Sequence, residues 1–321
     1  MIIGSPSGIG DFSWLWSKLY GIRDQITEIE IADGAPYRTV PYVELCLTPE
    51  ERKRIKVSYG DFQYNTILMN MMVYSLHYLR QRSPITWAKV LKAHCPDGPL
   101  STTRILLEPN THLEAGRRLE TWLPDLDTEF HYPLYTTAAD ARHAKEHLDR
   151  ELRATNYQGK PLLGISCASN GGQKNWRTWS REEWVEFLQG TIDLGWQPVV
   201  IGGHWDDLSH YVCRELNLPD LVGKTNVPEM VEILRYLPSF ICFSSGLNVI
   251  RTILKKPVMC LWPQCGVTDQ DLLRHSWVPP GMEDSGEYVS HLWAPVEVVW
   301  PLAKDFLERC LYDTNKVAVS Q

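Results

Sequence analysis

The second half of the chain alternates short apolar runs with amphipathic segments. The apolar runs predict β-strands at residues 162–166, 198–201, 240–243 and 258–262. Apolar residues recur at helical spacing in the segments between and after them, which predicts helices at residues 182–188, 208–216, 229–237 and 247–254. The stretch Asn226-Val-Pro-Glu229 has a loose form of the capping box that starts a helix. Strands that alternate with helices of this length are typical of a parallel sheet covered by helices. The second half is therefore predicted to be an α/β domain.

The first half contains elements of the same kind in a less regular order. The predicted strands are residues 1–3, 28–31, 42–46 and 104–108, and the predicted helices are residues 12–20, a stretch within 66–94, and 137–155. A turn-rich connector after residue 155 predicts one domain of residues 1–155 and another of residues 156–295. A final helix and tail, residues 296–321, is expected to pack back towards the first domain. Open parallel sheets bind ligands at the carboxyl ends of their strands, so the expected site is the cleft between the two domains.

The composition excludes several classes of protein. A net charge of −7 gives no sign of the basic surface that binds nucleic acid. The 8 cysteines form no Cys-x-x-Cys pair and several occur in apolar runs, which indicates buried reduced thiols. The start of the chain lacks the layout of a signal peptide, and the most apolar run, residues 67–79, is too short to span a bilayer. We expect a soluble cytoplasmic protein with no transmembrane segment.

A glycine-rich loop follows the first predicted strand. Gly4, Gly8 and Gly10 have the spacing with which short-chain dehydrogenases bind a dinucleotide. Those enzymes also need a Tyr-x-x-x-Lys pair, and the nearest candidate, Tyr157 with Lys160, is one residue too short. The dinucleotide interpretation therefore rests on the glycines, with Glu28 or Glu30 as the candidate for reading the ribose.

Asp11 directly follows this loop and gives the glycines another purpose. Glycines let the backbone turn tightly before a helix and let a ligand approach. The free N–H groups and dipole of a helix N-terminus keep a nearby carboxylate ionised, and an ionised carboxylate in a cleft can act as a general base. The same residue could instead be a plain helix N-cap. The loop by itself leaves these interpretations open.

The segment CASNGGQKNWRTWSREEW, residues 167–184, carries a second candidate site. It follows a predicted strand and contains Gly171 and Gly172 together with the cations Lys174 and Arg177. Ser180 then begins a helix with a capping box. A flexible loop with cations before a helix N-terminus is an arrangement that binds phosphate or diphosphate. The alternative is that both cations are solvated.

A second turn of this kind follows the predicted strand 240–243. Ser244, Ser245 and Gly246 end that strand, and a helix starts at once. The N–H groups of this helix would point to the same end of the sheet as the segment 167–184. Two such turns at neighbouring strand ends favour a shared diphosphate site over either turn alone.

These motifs, in this order, resemble the heptosyltransferases of glycosyltransferase family nine. The resemblance rests on Gly10-Asp11, on the K-x-W and W-S-x-x-x-W spacings within 174–184, and on the turn 244–248 that precedes P-V-x-x-L-W-P. It covers residues 162–264 and the start of the chain. It implies a GT-B fold, in which two Rossmann-like domains face each other across a cleft. It also implies that Asp11, supported by Gly8 and Gly10, is the base that activates the acceptor hydroxyl.

The resemblance further implies a donor site. The family places a cation on the donor diphosphate, and two registers of the motif leave Lys174 and Arg177 as alternatives. The family's hydroxyl pair corresponds to Ser169 and Asn170, and Asp220 is the candidate for reading the ribose. The implied donor-binding residues are Ser169, Asn170, Gly171, Gly172, Lys174, Arg177, Asp220, Ser244, Ser245, Gly246, Leu247 and Asn248.

The turn 244–248 departs from the family pattern. The family has an Asp before the Ser/Thr-Gly pair and a His shortly after it, whereas this sequence has Ser244 and Val249. The departure keeps the backbone N–H donors and changes the side chains that touch sugar and phosphate. The sequence therefore predicts a nucleotide-linked donor and leaves its sugar and base open.

Two patterns in the sequence have the form of metal sites. Asp125 and Asp127 make a D-x-D pair in an acidic turn, which we interpret as a solvated loop. His143 and His147 are spaced i,i+4 on a charged helix without a third ligand, which we interpret as an exposed helix face. We expect no catalytic metal and no cofactor, since helix N-termini and cations can stabilise the leaving diphosphate.

The sequence thus predicts an inverting, metal-independent glycosyltransferase that moves a sugar from a nucleotide-sugar to a saccharide, lipid-linked or nucleobase acceptor. Three alternatives stay open: transfer onto a hydroxymethylated base in DNA, epimerisation of a nucleotide-sugar, and a nucleotide-binding module without catalysis. Trp14 and Trp16, beside the proposed base, could stack on an acceptor ring or nucleobase, or pack in the core. The sequence leaves the oligomeric state open.

Overall fold

The computed structural model divides the chain into two compact units. The residues it describes are 2–5, 8–10, 12–13, 16, 20–32, 36–60, 132–155, 157–167, 179–243, 245–262 and 286–319. Described residues up to Tyr135 belong to the first unit, and those from Thr136 onwards belong to the second. The predicted elements at 66–94 and 104–108 lie outside the described residues. The predicted domain limits, 1–155, 156–295 and 296–321, stay predictions.

The first unit is built on a parallel sheet. Three strands, in the order β1, β2, β3, pair in parallel among its described residues. The strands are β1 (Ile2–Ser5), β2 (Glu28–Ala32) and β3 (Lys56–Gly60). The helices are α1 (Pro36–Leu45) and α2 (Pro49–Arg54), with a 3-10 helix at Tyr20–Gln25. The predicted strands at 1–3 and 28–31 are confirmed, whereas β3 has no counterpart among the predictions.

The predicted strand at 42–46 is wrong, because this run belongs to helix α1 and the turn that ends it. The apolar side chains of the run are all buried: Tyr42, Val43, Leu45 and Cys46. Glu44 between them is exposed, a spacing that fits one face of a helix as well as a buried strand. Pro36 at the first position of α1 favours the helix, because no hydrogen bond is lost there.

The second unit contains a larger parallel sheet. Its described strands lie in the order β5-β4-β6-β7-β8, and all neighbours are parallel. The strands are β4 (Leu162–Ser166), β5 (Gln197–Val200), β6 (Ser239–Phe243), β7 (Val258–Trp262) and β8 (Tyr288–Leu292). The helices are α3 (Ala138–Ala154), α4 (Arg181–Asp193), α5 (Asp207–Leu216), α6 (Val227–Tyr236), α7 (Gly246–Ile253) and α8 (Val296–Val319). The α/β class and the four predicted strands of this half are confirmed, and β8 is an addition.

Capping residues account for where the helices of this unit begin. Ser180 Oγ accepts a hydrogen bond from the N–H of Glu183 at 3.1 Å, and Glu183 accepts one from the N–H of Ser180 at 2.7 Å. Asn226 and Glu229 form the same reciprocal pair at the start of α6. Both capping boxes are predicted from the sequence and confirmed, each satisfying two N–H groups that the helix leaves open.

The C-terminal helix α8 packs on the second unit as far as the end of its described side chains. Its buried residues Val299, Phe306 and Leu307 belong to the same apolar core as Trp184 of α4 and Ile241 of β6. That the tail packs back towards the first domain stays a prediction. Among the described residues, none of the helices is long and apolar enough to cross a membrane.

Candidate functional site

The second sheet reverses its winding direction at β4. This strand has β5 on one side and β6 on the other, which is the order of a doubly wound sheet. Ser166, the last residue of β4, pairs in parallel with Cys242 near the end of β6. The ends of β4 and β6 are therefore neighbours. The segment after Cys167 follows one of them, and the turn at Ser245 follows the other. Such a point of reversal is where doubly wound sheets bind ligands.

The turn after β6 begins helix α7 with a capping box. Ser245 Oγ accepts a hydrogen bond from the N–H of Leu247 at 3.2 Å, and the Asn248 side chain accepts one from the N–H of Ser245 at 2.8 Å. Asn248 is only 1% exposed. The Asn248 amide oxygen is thus occupied by the cap, and a ligand must compete with the two side chains for these N–H groups.

Several predicted donor residues lie outside the described residues. They are Ser169, Asn170, Gly171, Gly172, Lys174, Arg177 and Ser244. Their roles stay predictions. The described residues on either side, Cys167 and Trp179, are both buried in the core of the second unit.

Asp220 lies beside the edge strand β5, where it forms an isolated parallel bridge with Val200. Its carboxylate accepts a hydrogen bond from the N–H of Val222 at 2.9 Å, and it lies 3.7 Å from Lys224 Nζ and 3.4 Å from His210 Nδ1. These contacts give Asp220 a local part in shaping the turn. Its role in reading a ribose stays a prediction.

The loop after β5 is a part of this sheet edge that the sequence patterns did not single out. Asp206 there is 6% exposed and caps helix α5 through Ser209, whose N–H donates to Oδ1 at 3.0 Å. A Cβ atom at Gly202 would lie 2.9 Å from the same carboxylate, so the glycine lets the loop fold tightly around it. Burial, followed by the charge of Asp206, raises the pKa of the Cys167 thiol at the end of β4. The signal in the sequence is the Gly-Gly pair followed by an N-cap aspartate.

In the first unit, helical backbone begins at Ile9 among the described residues, three residues before the predicted helix 12–20, so Gly10 is helical and not part of the predicted loop. Ile9, Gly10, Phe12, Ser13 and Trp16 are helical, and the N–H of Phe12 donates to the carbonyl of Gly8 at 2.9 Å. Asp11 lies outside the described residues, so its role as a base stays a prediction.

Trp16 belongs to the core of the first unit. Its side chain is fully buried and stacks on Phe12 with ring centroids 5.7 Å apart. Tyr20 meets it edge-on at 6.2 Å. Of the two interpretations of Trp16, packing is therefore the correct one, whereas Trp14 lies outside the described residues.

His143 and His147 contact helix α6. Each Nδ1 lies 4.0 Å from a carboxylate oxygen of Glu229, and His147 Nδ1 is also 3.0 Å from the carbonyl of Lys224. This pair thus takes part in packing α3 on α6, rather than only facing solvent as predicted. In the described part of the chain, no cluster of three or more His, Cys, Asp or Glu residues could hold a metal ion. Asp125 and Asp127 lie outside that part.

Comparison with known proteins identifies the family. The chain resembles the solved structure of the E. coli ADP-heptose lipopolysaccharide heptosyltransferase II, with a TM-score of 0.57, 14% identity, and coverage of 98% of this chain and 99% of the other. It also resembles a glycosyltransferase family 9 protein from Veillonella parvula, with a TM-score of 0.61, 12% identity, and coverage of 96% and 97%. These likenesses support the GT-B fold that the motifs implied. No curated protein matches the sequence.

The family model of glycosyltransferase family 9 (heptosyltransferase) matches residues 116–277, slightly more than half of the chain. This range includes strands β4 to β7 and the turn that starts α7. The chain therefore belongs to glycosyltransferase family 9 and is a glycosyltransferase.

Proposed function

We propose that this glycosyltransferase binds a nucleotide-sugar where β4 and β6 end and transfers its sugar to an acceptor hydroxyl. The pairing of Ser166 with Cys242 supports this site, because it brings the two predicted diphosphate-binding segments to neighbouring strand ends. The similar E. coli protein is an ADP-heptose lipopolysaccharide heptosyltransferase. ADP-heptose and a lipopolysaccharide acceptor are therefore the first pair to test.

The donor diphosphate would lie at the start of α7, held by N–H groups around Gly246 and by Lys174 or Arg177. A helix N-terminus favours a negative charge. The same groups would stabilise the nucleoside diphosphate as it leaves, since charge grows on its oxygen in the transition state. The proposed site needs no metal ion for this task.

Asp11 would act as the general base. The carboxylate takes the proton of the acceptor hydroxyl, and the acceptor oxygen attacks the anomeric carbon. The bond from that carbon to the diphosphate oxygen breaks, and its electron pair leaves with the nucleotide. A single displacement of this kind inverts the configuration at the anomeric carbon.

The first experiment measures nucleotide binding by calorimetry with ADP, UDP, GDP and CDP. We expect one of them, with ADP the first candidate, to bind clearly more tightly than the others. Transfer is then assayed with the matching nucleotide-sugars on lipopolysaccharide, on a lipid-linked saccharide and on hydroxymethylated DNA. Failure of all four nucleotides to bind would overturn the proposed donor site.

The second experiment separates the roles of the site residues. Asp11→Asn should lower kcat by a factor of roughly 10²–10⁴ with donor affinity nearly unchanged, because a base acts in the transition state. Lys174→Met and Arg177→Met are compared with Lys304→Met, an exposed position on α8, as the control. One of the two cations holds the diphosphate, and its substitution should weaken nucleotide binding by about 10-fold or more. Full activity of Asp11→Asn would remove Asp11 from the mechanism.

A further inference from the structure

A buried chain of hydroxyl groups joins Ser13, which is two residues from Asp11 in the sequence, to Tyr42 and Tyr132. Ser13 Oγ is 2.7 Å from the carbonyl oxygen of Ile9 and 2.8 Å from the hydroxyl of Tyr42. The hydroxyl of Tyr42 is in turn 3.2 Å from that of Tyr132. The hydroxyl chain links three separate parts of the first unit: the helical residues around Ser13, helix α1, and the segment that contains Tyr132.

The direction of every hydrogen bond in this chain follows from elementary chemistry. A carbonyl oxygen can only accept, and a hydroxyl has one hydrogen to donate. Ser13 therefore donates to Ile9, Tyr42 donates to Ser13, and Tyr132 donates to Tyr42. Each hydroxyl hydrogen has one defined acceptor, so the chain holds its members in one arrangement.

The three hydroxyl-bearing side chains of this hydrogen-bonded chain are buried. Ser13 and Tyr42 are fully buried, and Tyr132 is 2% exposed. Burial raises the pKa of both tyrosines well above its ordinary value, so both remain hydrogen-bond donors. The ring of Phe12 meets the ring of Tyr42 edge-on at 6.2 Å. Removing one hydroxyl would leave a buried polar group without a partner, which is costly in such surroundings.

We propose that Ser13, Tyr42 and Tyr132 are positioning residues for the carboxylate of Asp11. Ile9 and Ser13, the two ends of the innermost hydrogen bond, lie on either side of Asp11 in the sequence. Gly8 and Gly10 give this stretch little stiffness of its own, so the hydroxyl chain supplies the constraint from outside. This inference rests on the proposed function, in which Asp11 is the base.

The decisive variants remove one hydroxyl each, in Tyr42→Phe and Ser13→Ala. A base displaced by a fraction of an ångström transfers a proton less efficiently, so we expect kcat to fall by about 5- to 50-fold. The KM and the calorimetric Kd for the donor should change by less than about twofold, because the donor binds in the other unit. The assay uses the donor and acceptor pair with the highest turnover in the panel above.

Tyr288→Phe is the matched control. Tyr288 is also buried, and its hydroxyl is without a hydrogen-bond partner in the described part of the chain. Its loss should leave kcat unchanged. Thermal unfolding of each variant is measured first, so that rates refer to folded protein.

A double-mutant cycle with Asp11→Asn separates positioning from a general structural effect. If Tyr42 acts through Asp11, Tyr42→Phe should cause no further loss of kcat in the Asp11→Asn background. Multiplicative losses, or a wild-type kcat in both folded Tyr42→Phe and Ser13→Ala, would overturn the inference. Wild-type activity of Asp11→Asn would instead overturn the proposed base, so the two failures are distinguishable.

Discussion

Gly190 lies against the indole ring of Trp300, where helix α4 meets helix α8. A Cβ atom at position 190 would stand 2.5 Å from Cη2 of Trp300 and 2.9 Å from two further ring atoms. This is well inside the contact distance of two carbon atoms. Phe187, one turn earlier on α4, meets the same ring edge-on at 5.6 Å. Because glycine has no side chain, residue 190 lets helix α8 pack closely against helix α4.

Gly190→Ala should destabilise the protein. Within a helix, alanine in place of glycine normally stabilises by about 1 kcal/mol, so a loss of stability identifies the clash with Trp300. We expect the free energy of unfolding in urea to fall by about 1–3 kcal/mol, as for other overpacked cores. Trp300→Leu in the same chain should recover part of that loss. Strictly additive losses would contradict the contact.

Arg251 should be more important for stability than any exposed arginine. Its Nη1 donates to the carbonyls of Leu234 and Leu237, at the end of α6, and its Nη2 donates to that of Pro257 before β7. Burial lowers the pKa of this fully buried guanidinium to about 9. Arg251→Met leaves these carbonyls without donors, so we expect a loss of about 3 kcal/mol or more in the free energy of unfolding.

The matched control for Arg251 is Arg214→Met, at an exposed position near the end of α5. It should change the free energy of unfolding by no more than about 0.5 kcal/mol. Equal losses for the two variants, measured by urea titration, would show that the buried hydrogen bonds contribute nothing specific.

Stability should fall in alkaline solution because of buried thiols. Burial raises the pKa of Cys46, Cys167, Cys213 and Cys260 in the folded protein. A raised pKa means that the unfolded chain loses these protons first, so the thiol contribution is complete below pH ~8.5 and declines as the pH rises above it. Each thiol lowers the free energy of unfolding by up to about 1.4 kcal/mol per pH unit. Above pH 9 the folded protein loses the Arg251 proton while the unfolded chain keeps it. This raises the free energy of unfolding by up to about 1.4 kcal/mol per pH unit and so offsets the contribution of one thiol.

Urea titrations between pH 7.5 and about 10 measure this slope. Cys260→Ala should reduce the decline in the free energy of unfolding by up to about 1.4 kcal/mol per pH unit, whatever its effect on stability at pH 7.5. A Cys260→Ala profile as steep as that of the wild-type protein would mean that this thiol ionises equally in the folded and unfolded chain.

Ser245→Ala tests which atoms of the α7 turn bind the donor. The substitution removes the N-cap, so we expect the ligand-free protein to lose about 1 kcal/mol of stability. Nucleotide affinity should be retained, because the N–H groups of Leu247 and Asn248 released by the change remain available to a diphosphate. A 10-fold or greater loss of calorimetric affinity would instead place the Ser245 hydroxyl on the ligand.

Chelation should leave the transfer reaction unaffected. The proposed site stabilises the leaving diphosphate with N–H groups and a cation, so kcat after dialysis against EDTA should stay within about twofold of the starting value. A loss of activity that Mg²⁺ or Mn²⁺ restores would contradict metal independence.

Short-range patterns predicted the second unit well and part of the first unit badly. The capping boxes at Ser180 and Asn226 involve residues three positions apart, and the structure confirms both. The run around Tyr42 has the same burial in a helix as in a strand, so its sequence alone could not decide between them. Strand β8 consists of residues of mixed polarity, so it has no clear apolar pattern. It is defined by its pairing with β7, which short-range patterns cannot reveal.

The sequence by itself determined the elements with clear periodicity and caps, and the motifs that resemble the family. Only the tertiary structure decided that β4 and β6 are neighbours, that Asn248 serves the cap of α7, and that Trp16 packs in the core. It alone joined Ser13 to Tyr42 and Tyr132. The physical reason is range: periodicity and capping depend on residues within one or two turns, whereas strand order, burial and hydroxyl chains depend on residues that are distant in the sequence.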